Sequence, residues 1–218
     1  MAFIEESSVT CTSCGTAHII QTHGSINVSE NPSIKAKVRD GSLFVWECPC
    51  CGRKNLAKYQ TLYHDPSQRL MIWLIPDDSK AAALEGAMEK IALDDSLAGY
   101  TLRRVSDVSS LIEKVAIFDA GLDDCVMEIC KWVTRMELSQ KNQSQASELA
   151  ETIMRFYAVQ GADNELLLSF PLKGQIHSVT IGFNVYEDCA GIFRRNPRMR
   201  PAPGFSKIDS AWLGQYFQ

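Results

Sequence analysis

In Cys11-Thr12-Ser13-Cys14, and again in Cys48-Pro49-Cys50-Cys51, two residues separate a pair of cysteines, and a glycine follows each pair. Two such hooks are typical of a tetrahedral zinc site, because Zn²⁺ favours four thiolates in structural sites. Glycine after the second cysteine permits a backbone conformation that other residues adopt only at a cost. The sequence therefore predicts a zinc ribbon over about residues 8–60, with one structural Zn²⁺ per chain held by these ligands: Cys11, Cys14, Cys48 and Cys51.

The gap of 33 residues between the two hooks is longer than a minimal ribbon needs. A short helix that starts at Asn31-Pro32 and stops at Gly41 would account for the surplus as an insertion. The same four ligands could hold an iron–sulfur centre, and either hook could be a redox-active dithiol. No wider redox machinery and no thioredoxin-like context is visible, which favours zinc. Since cysteine fills all four positions, no place is left for the water of a catalytic zinc.

The apolar pattern beyond the hooks predicts an α+β fold, in which the four-cysteine zinc ribbon joins a mixed sheet that carries two to three helices. Strands are expected near residues 3–10, 18–28, 43–47, 55–63, 69–75 and 100–105. Helix starts are indicated at Asp77, at Ser106 or Asp107, and at Asp123, because each precedes apolar residues at helical spacing. Three tryptophans are expected in the core: Trp46, Trp73 and Trp132.

The polar stretch 139–147 lacks apolar periodicity and is predicted to be a linker. It would separate a domain over residues 1–140 from a strand-rich C-terminal extension or subdomain over residues 148–218. Strands are expected there at 152–159, 165–170 and 178–186. A short amphipathic helix near the end would place Ile208 and Trp212 inward.

Two further groups of residues are weaker candidates for function. Asp119, Asp123 and Asp124 form the densest carboxylate group, which could serve an enzyme, although helix capping also explains an aspartate at this place. Six basic residues could contact nucleic acid, although solvated loops are the simpler interpretation; they are Arg53, Lys54, Arg194, Arg195, Arg198 and Arg200. His18 and His23 lie near the first hook, but four cysteines make them unnecessary as ligands.

Composition narrows the class of protein. The formal net charge of −4 argues against a general electrostatic grip on nucleic acid or acidic lipid. No apolar run approaches the roughly 18 residues that span a membrane, and Glu5 and Glu6 interrupt any signal-peptide pattern at the N-terminus. We therefore expect a cytoplasmic protein with reduced thiols and no membrane partner.

Three separated segments resemble the CpXC domain of bacteria and archaea. They are the paired hooks, the run Tyr63-His64-Asp65-Pro66 with the apolar strand Leu70–Ile75 behind it, and the stretch Leu111–Asp124. The resemblance covers roughly residues 8–140. That family is named for two cysteine–proline–x–cysteine hooks, and here Thr12 stands where the first proline is expected. The resemblance implies a zinc-type protein and supplies no reaction.

The function indicated by these observations is a zinc-stabilised interaction or scaffold module. Its partner would be another protein or a second copy of the chain. A nucleic-acid-binding zinc ribbon is one alternative, and an enzyme that uses the aspartate group is another. The interaction module is favoured by the closed metal site, the weak net charge and the lack of a catalytic constellation.

Overall fold

The computed structural model describes residues 3–217, apart from the side chain of Asp78. These residues form ten strands and eight α-helices, in agreement with the α+β prediction. The strands are β1 Phe3–Thr10, β2 Ala17–Asn27, β3 Val45–Glu47, β4 Lys54–Leu56, β5 Thr61–Asp65, β6 Leu70–Leu74, β7 Thr101–Val105, β8 Arg155–Gln160, β9 Glu165–Leu172 and β10 Gln175–Ile181. The helices are α1 Pro32–Arg39, α2 Asp78–Ala83, α3 Glu85–Ala92, α4 Val108–Asp119, α5 Asp124–Lys141, α6 Ala146–Glu151, α7 Phe183–Arg195 and α8 Ser210–Gly214.

The chain divides into two compact units. The first unit takes the residues up to Ile112 together with Ala202–Lys207. The second unit takes Glu113–Pro201 and the residues from Ile208 on. The division falls inside α4, whereas the sequence pattern predicts a boundary at the polar stretch 139–147.

A five-stranded mixed sheet forms the centre of the first unit, in the order β1-β2-β5-β6-β7. Antiparallel pairing joins β1 to β2 and β5 to β6, while β2 and β5, like β6 and β7, are parallel. Ile26, Tyr63 and Ile72 are paired across three neighbouring strands and are all buried. This row anchors the sheet because its side chains share one face.

Each cysteine hook lies in the turn of an antiparallel strand pair. The first hook joins β1 to β2, and the second joins β3 to β4, which form a separate two-stranded sheet. The helix α1 lies in the insertion between the hooks and buries Ile34 and Val38. Two hooks on two hairpins are the arrangement that the ribbon prediction requires.

A three-stranded antiparallel sheet in the order β10-β9-β8 belongs to the second unit. Its core is large and includes residues of α5 and β9 that are almost inaccessible to solvent, such as Met127, Ile129 and Leu168. Trp212 of α8 is buried in the same core, as the sequence predicts. Trp132 is partly buried and packs against it.

Two segments differ from the sequence prediction. The strand expected over 178–186 ends at Ile181, and α7 begins at Phe183, where apolar residues recur at helical spacing. The polar stretch 139–147, expected as a linker, is largely helical because α5 runs on to Lys141 and α6 begins at Ala146. Lys141 donates to the carboxylate of Glu137 one turn earlier at 2.7 Å, which supports the last turn of α5.

Candidate metal centre

The two hooks have nearly the same backbone geometry. In the first, Gly15 N donates to Cys11 O at 3.0 Å, and in the second Gly52 N donates to Cys48 O at 2.8 Å. Both glycines are left-handed, with φ of 71° and 69°. The conformation expected from the glycine positions is therefore present in both hooks, and it turns the second cysteine of each pair back towards the first.

The four cysteine sulfurs form one cluster, in which every pair lies within 4.8 Å. Contacts between the hooks set its size, with Cys11 Sγ 3.7 Å from Cys51 Sγ and Cys14 Sγ 3.7 Å from Cys48 Sγ. A tetrahedron of thiolates with metal–sulfur distances of about 2.3 Å has edges of about 3.8 Å. The cluster is thus of the right size to hold one metal ion, and all four cysteines are free of disulfides.

The environments of the sulfurs are unequal. Backbone N–H groups of Cys14 and Ser13 point at the sulfur of Cys11 and lower the pKa of that thiol to about 6. Burial instead raises the pKa of the Cys48 thiol to about 12. Four adjacent thiolates repel one another, so full deprotonation of the cluster requires a cation among them.

Asn55 on β4 ties the first hook to the second hairpin, and nothing in the sequence pattern indicated this role. Its side chain is buried, and its Oδ1 accepts from Thr12 N at 2.9 Å and from Thr12 Oγ1 at 2.8 Å. Its Nδ2 donates to Arg53 O at 2.8 Å and lies 3.6 Å from Cys11 Sγ. Proline at position 12 would lack the N–H that donates to Asn55 Oδ1. Thr12, which stands in place of the family's proline, therefore makes a hydrogen bond that proline could not make.

His18 and Cys50 lie beside the cluster. His18 Nε2 is 3.4 Å from Cys48 Sγ, and its ring contacts Trp46 with centroids 5.6 Å apart. Cys50 is exposed and groups with His18 and Cys48. Trp46, which was expected in the core, is partly buried and covers this side of the site. A histidine N–H near a thiolate sulfur stabilises its negative charge without being a ligand.

The structure places Asp119 apart from the other two aspartates of the second candidate group. Asp119 is exposed at the end of α4. Asp123 and Asp124 form a cluster with Cys125, and Asp119 does not belong to it. Asp123 caps α5 by accepting from Cys125 N at 2.7 Å, as the sequence predicts. Asp124 is fully buried and lies 2.9 Å from Lys114 Nζ. Because Lys114 already neutralises Asp124, the group is poorly suited to a cation.

Asp124 is part of a buried ion network that the sequence pattern did not reveal. The network lies within the second unit, on α4, α5 and β8, and consists of Glu113, Lys114, Asp124, Glu128, Lys131 and Arg155. Three carboxylates face three cationic groups, so the formal charges cancel. Lys131 bridges Glu113 at 2.8 Å and Glu128 at 2.6 Å. Burial acts against the charge on Glu113, but Lys131 and Lys114 outweigh it and lower the pKa of that carboxyl.

The six basic candidates are all exposed and divide between the units. Arg53 and Lys54 follow the second hook in the first unit, while the four arginines of residues 194–200 belong to the second. Arg194 and Arg195 form the last turn of α7, where positive charge complements the helix dipole. That position gives both arginines a structural role that needs no ligand.

His64 and Asp65 have different partners: His64 Nε2 lies 3.3 Å from the Tyr100 hydroxyl. The Asp65 carboxylate is buried, accepts from Ser67 N at 3.1 Å and lies 2.8 Å from Lys35 Nζ. Burial alone would raise the pKa of Asp65, but hydrogen bonds from Lys35 and Ser67 outweigh it and lower the pKa. Asp65 therefore holds a turn together.

Two hairpin hooks with four converging cysteines form a zinc-ribbon-like arrangement that could hold a metal ion. The family model described as CpXC protein matches residues 9–131, which is more than half of the chain. The chain belongs to the CpXC family. Neither the comparison with curated proteins nor the comparison with solved structures found a match. None of the helices in residues 3–217 combines the length and apolar character that crossing a membrane requires.

Proposed function

We propose that this chain binds one Zn²⁺ through Cys11, Cys14, Cys48 and Cys51, and that the ion builds shape and performs no chemistry. The observation that carries this proposal is the 3.7 Å spacing of the sulfurs across the two hooks. Zinc suits four thiolates in a tetrahedron better than the oxygen-preferring ions do. With four cysteines as ligands, no position is left for a reacting water.

The role proposed for this zinc-held region is to bind another protein. Val45 and Leu56 support it, because they are paired across the β3–β4 hairpin and are 45% and 50% exposed. An apolar cross-strand pair is costly to leave in water but favourable in the centre of a protein interface. The neighbouring hook fixes the backbone on which the pair is presented, so metal binding and partner binding would be coupled.

The experiment that tests this role compares partners recovered by affinity purification from the native host. The wild type and the double variant Val45→Ser/Leu56→Ser are used, and zinc content is measured on both samples. We expect loss of the partner from the double variant, because both exposed side chains would contact it. We expect equal zinc content in the two samples, because neither residue is a proposed metal ligand. A partner set that is unchanged in the double variant would contradict the interaction surface while leaving the zinc proposal standing.

Nucleic-acid binding is the second candidate, and the exposure of all six basic side chains favours it. Four arginines lie within residues 194–200. Binding through them would weaken steeply with salt, since it depends on counterion release from phosphates. A gel-shift assay at low salt tests it: a shift that disappears in Arg194→Ala/Arg198→Ala would support this role, and no shift would exclude it.

A further inference from the structure

The two outer strands of the three-stranded sheet in the second unit differ in how their edges are covered. On β8, Phe156 N donates to the buried Glu113 carboxylate at 2.9 Å, and Arg155 binds the same carboxylate at 3.1 Å. The first two residues of β8 are therefore engaged by the ion network. On β10, no strand among residues 3–217 pairs with the side opposite β9.

The hairpin turn between β9 and β10 determines which backbone groups of β10 face outward. Lys173 and Gly174 form a two-residue turn with φ of 51° and 73°, as in a type I′ hairpin. The flanking residues Leu172 and Gln175 are paired, and such a closing pair exchanges both hydrogen bonds. Since hydrogen-bonded pairs alternate along an antiparallel ladder, Ile176, Ser178 and Thr180 direct their N–H and C=O groups away from β9.

These three residues also share one exposed face of the sheet. Ile176 is 77% exposed, and Ser178 and Thr180 are exposed as well. The seven residues of β10 contain no acidic residue, no lysine, no arginine and no proline. Proteins usually protect an open edge with such residues, because it otherwise pairs with another strand. The edge strand β1 of the first unit is protected in this way, because it carries Glu5 and Glu6.

We propose that β10 is a self-association edge, at which a second copy of this chain pairs antiparallel to form a continuous six-stranded sheet. A two-fold axis at Ser178 would place Ser178 opposite its own copy and Ile176 opposite Thr180 of the other copy. That register satisfies all of the outward N–H and C=O groups of the three residues in each copy. It also brings no like charges together, whereas pairing β1 with itself would bring carboxylates close.

The proposal commits to a second copy because the edge is complementary to itself. The centre of the strand is uncharged, and its outward groups are spaced symmetrically about one residue. A single strand pair buries less area than a standard interface, so the dimer should be weak and depend on concentration. None of the residues paired in this register is a proposed metal ligand, so the two proposals can fail separately.

Analytical ultracentrifugation of the full chain over a concentration series tests the pairing. The mass of the wild type should rise from 24.3 kDa towards twice that value. Ser178→Lys should remain monomeric, with a dissociation constant at least about tenfold higher, because two lysines would meet at the two-fold axis. Ser8→Lys is the matched control, since it makes the same change at an exposed site on the other edge strand, β1, and it should dimerise like the wild type.

A charge swap makes the test specific to the proposed register. Ser178→Glu alone should be monomeric, and an equimolar mixture of Ser178→Glu with Ser178→Lys should recover the dimer. A monomeric wild type, a dimeric Ser178→Lys, a monomeric Ser8→Lys or a mixture that stays monomeric would each overturn the proposal.

Amide hydrogen exchange of the wild type provides a readout that does not depend on any variant folding. The outward amides of Ile176, Ser178 and Thr180 should exchange more slowly as protein concentration rises. The inward amides of His177 and Val179 already bond to β9 and should not change with concentration. Equal concentration dependence at both sets, or none at either, would contradict the pairing. Zinc content measured on the same samples should stay constant throughout.

Discussion

The cysteine cluster of the first unit and the ion network of the second unit both concentrate charged groups, but they differ in where the balancing charge comes from. In the network, three carboxylates meet Lys114, Lys131 and Arg155, so the chain supplies its own counter-charges. The cysteine cluster has four thiols and no cationic side chain among its ligands. In the proposed metal site, an ion from outside the chain would supply the charge that balances the four thiolates.

The ion network is also more deeply buried than the cysteine cluster. Asp124 and Lys114 of the network are 0% and 3% exposed, inside a large apolar core. In the cysteine cluster, Cys11 and Cys48 are buried but Cys14 and Cys51 are exposed, and the flanking hairpin β3–β4 has few residues to bury. If the proposed ion is bound, metal bonds would take the place of a hydrophobic core in one region, whereas a core surrounds a self-balanced ion network in the other. Each of the following predictions separates these two modes of stabilisation.

Metal removal should have the largest effect and should act on the first unit. Chelation, or Cys48→Ser, should abolish the protection of the two hooks and of the β3–β4 hairpin against hydrogen exchange, because metal binding is part of the folding free energy of such a site. Cys50→Ser is the control, since Cys50 is exposed and is not among the four ligands. The ion network carries no metal, so amides of α5 should keep their protection. Unchanged exchange at the hooks after chelation would show that they fold without an ion.

Breaking the ion network should have the next largest effect and should act on the second unit. Glu113→Gln should reduce the free energy of unfolding by about 3–5 kcal/mol, because Lys131 would lose a buried counter-charge. Glu137→Gln, which loses an exposed pair with Lys141, should cost less than about 0.5 kcal/mol. Denaturant unfolding measures both changes. Equal costs for the two variants would mean that burial adds nothing to the network.

Loss of the side chain that links the two hairpins should have a moderate effect. Asn55→Ala should cost about 1–3 kcal/mol, because the buried Asn55 side chain would lose its two hydrogen bonds from Thr12. Zinc should also transfer faster to a chelator, because the first hook would be less firmly held. Asn142→Ala, at the exposed end of α5, is the control and should leave the transfer rate unchanged. A normal transfer rate for Asn55→Ala would mean that the hooks are positioned by the metal alone.

The smallest effect should come from the buried turn carboxylate, and it should depend on pH. The pKa of Asp65 is lowered in the folded chain, so its contribution is present above the unfolded pKa of about 3.9 and is lost as pH falls through the folded value. Asp65→Asn should therefore cost about 1 kcal/mol at pH 7, a modest value because Lys35 is partly exposed. The difference in unfolding free energy between variant and wild type should shrink below about pH 4. A difference independent of pH would contradict the ion pair.

The parts of the fold that the sequence predicted are those determined locally. The hooks follow from two-residue spacings and a glycine, and the start of α5 follows from Asp123 and the two N–H groups that it receives. Asn55 could not be predicted, because it becomes important only when β4 meets a hook 43 residues away. Glu113 and Lys114 look like a solvent-facing pair, and only the packing of α4, α5 and β8 turns them inward. The strand expected through Tyr186 was wrong because Val185 and Tyr186 favour strands locally, whereas Phe183, Tyr186 and Ala190 recur at helical spacing and pack against the core.

X-ray absorption spectroscopy at the zinc edge of the purified, metal-loaded chain tests most directly whether the ion is closed in by sulfur. Four sulfur neighbours at about 2.3 Å, with no lighter atom bound to the metal, are the predicted result. An oxygen or nitrogen atom in the first coordination shell would show an incomplete thiolate set and would contradict a purely structural role for the ion.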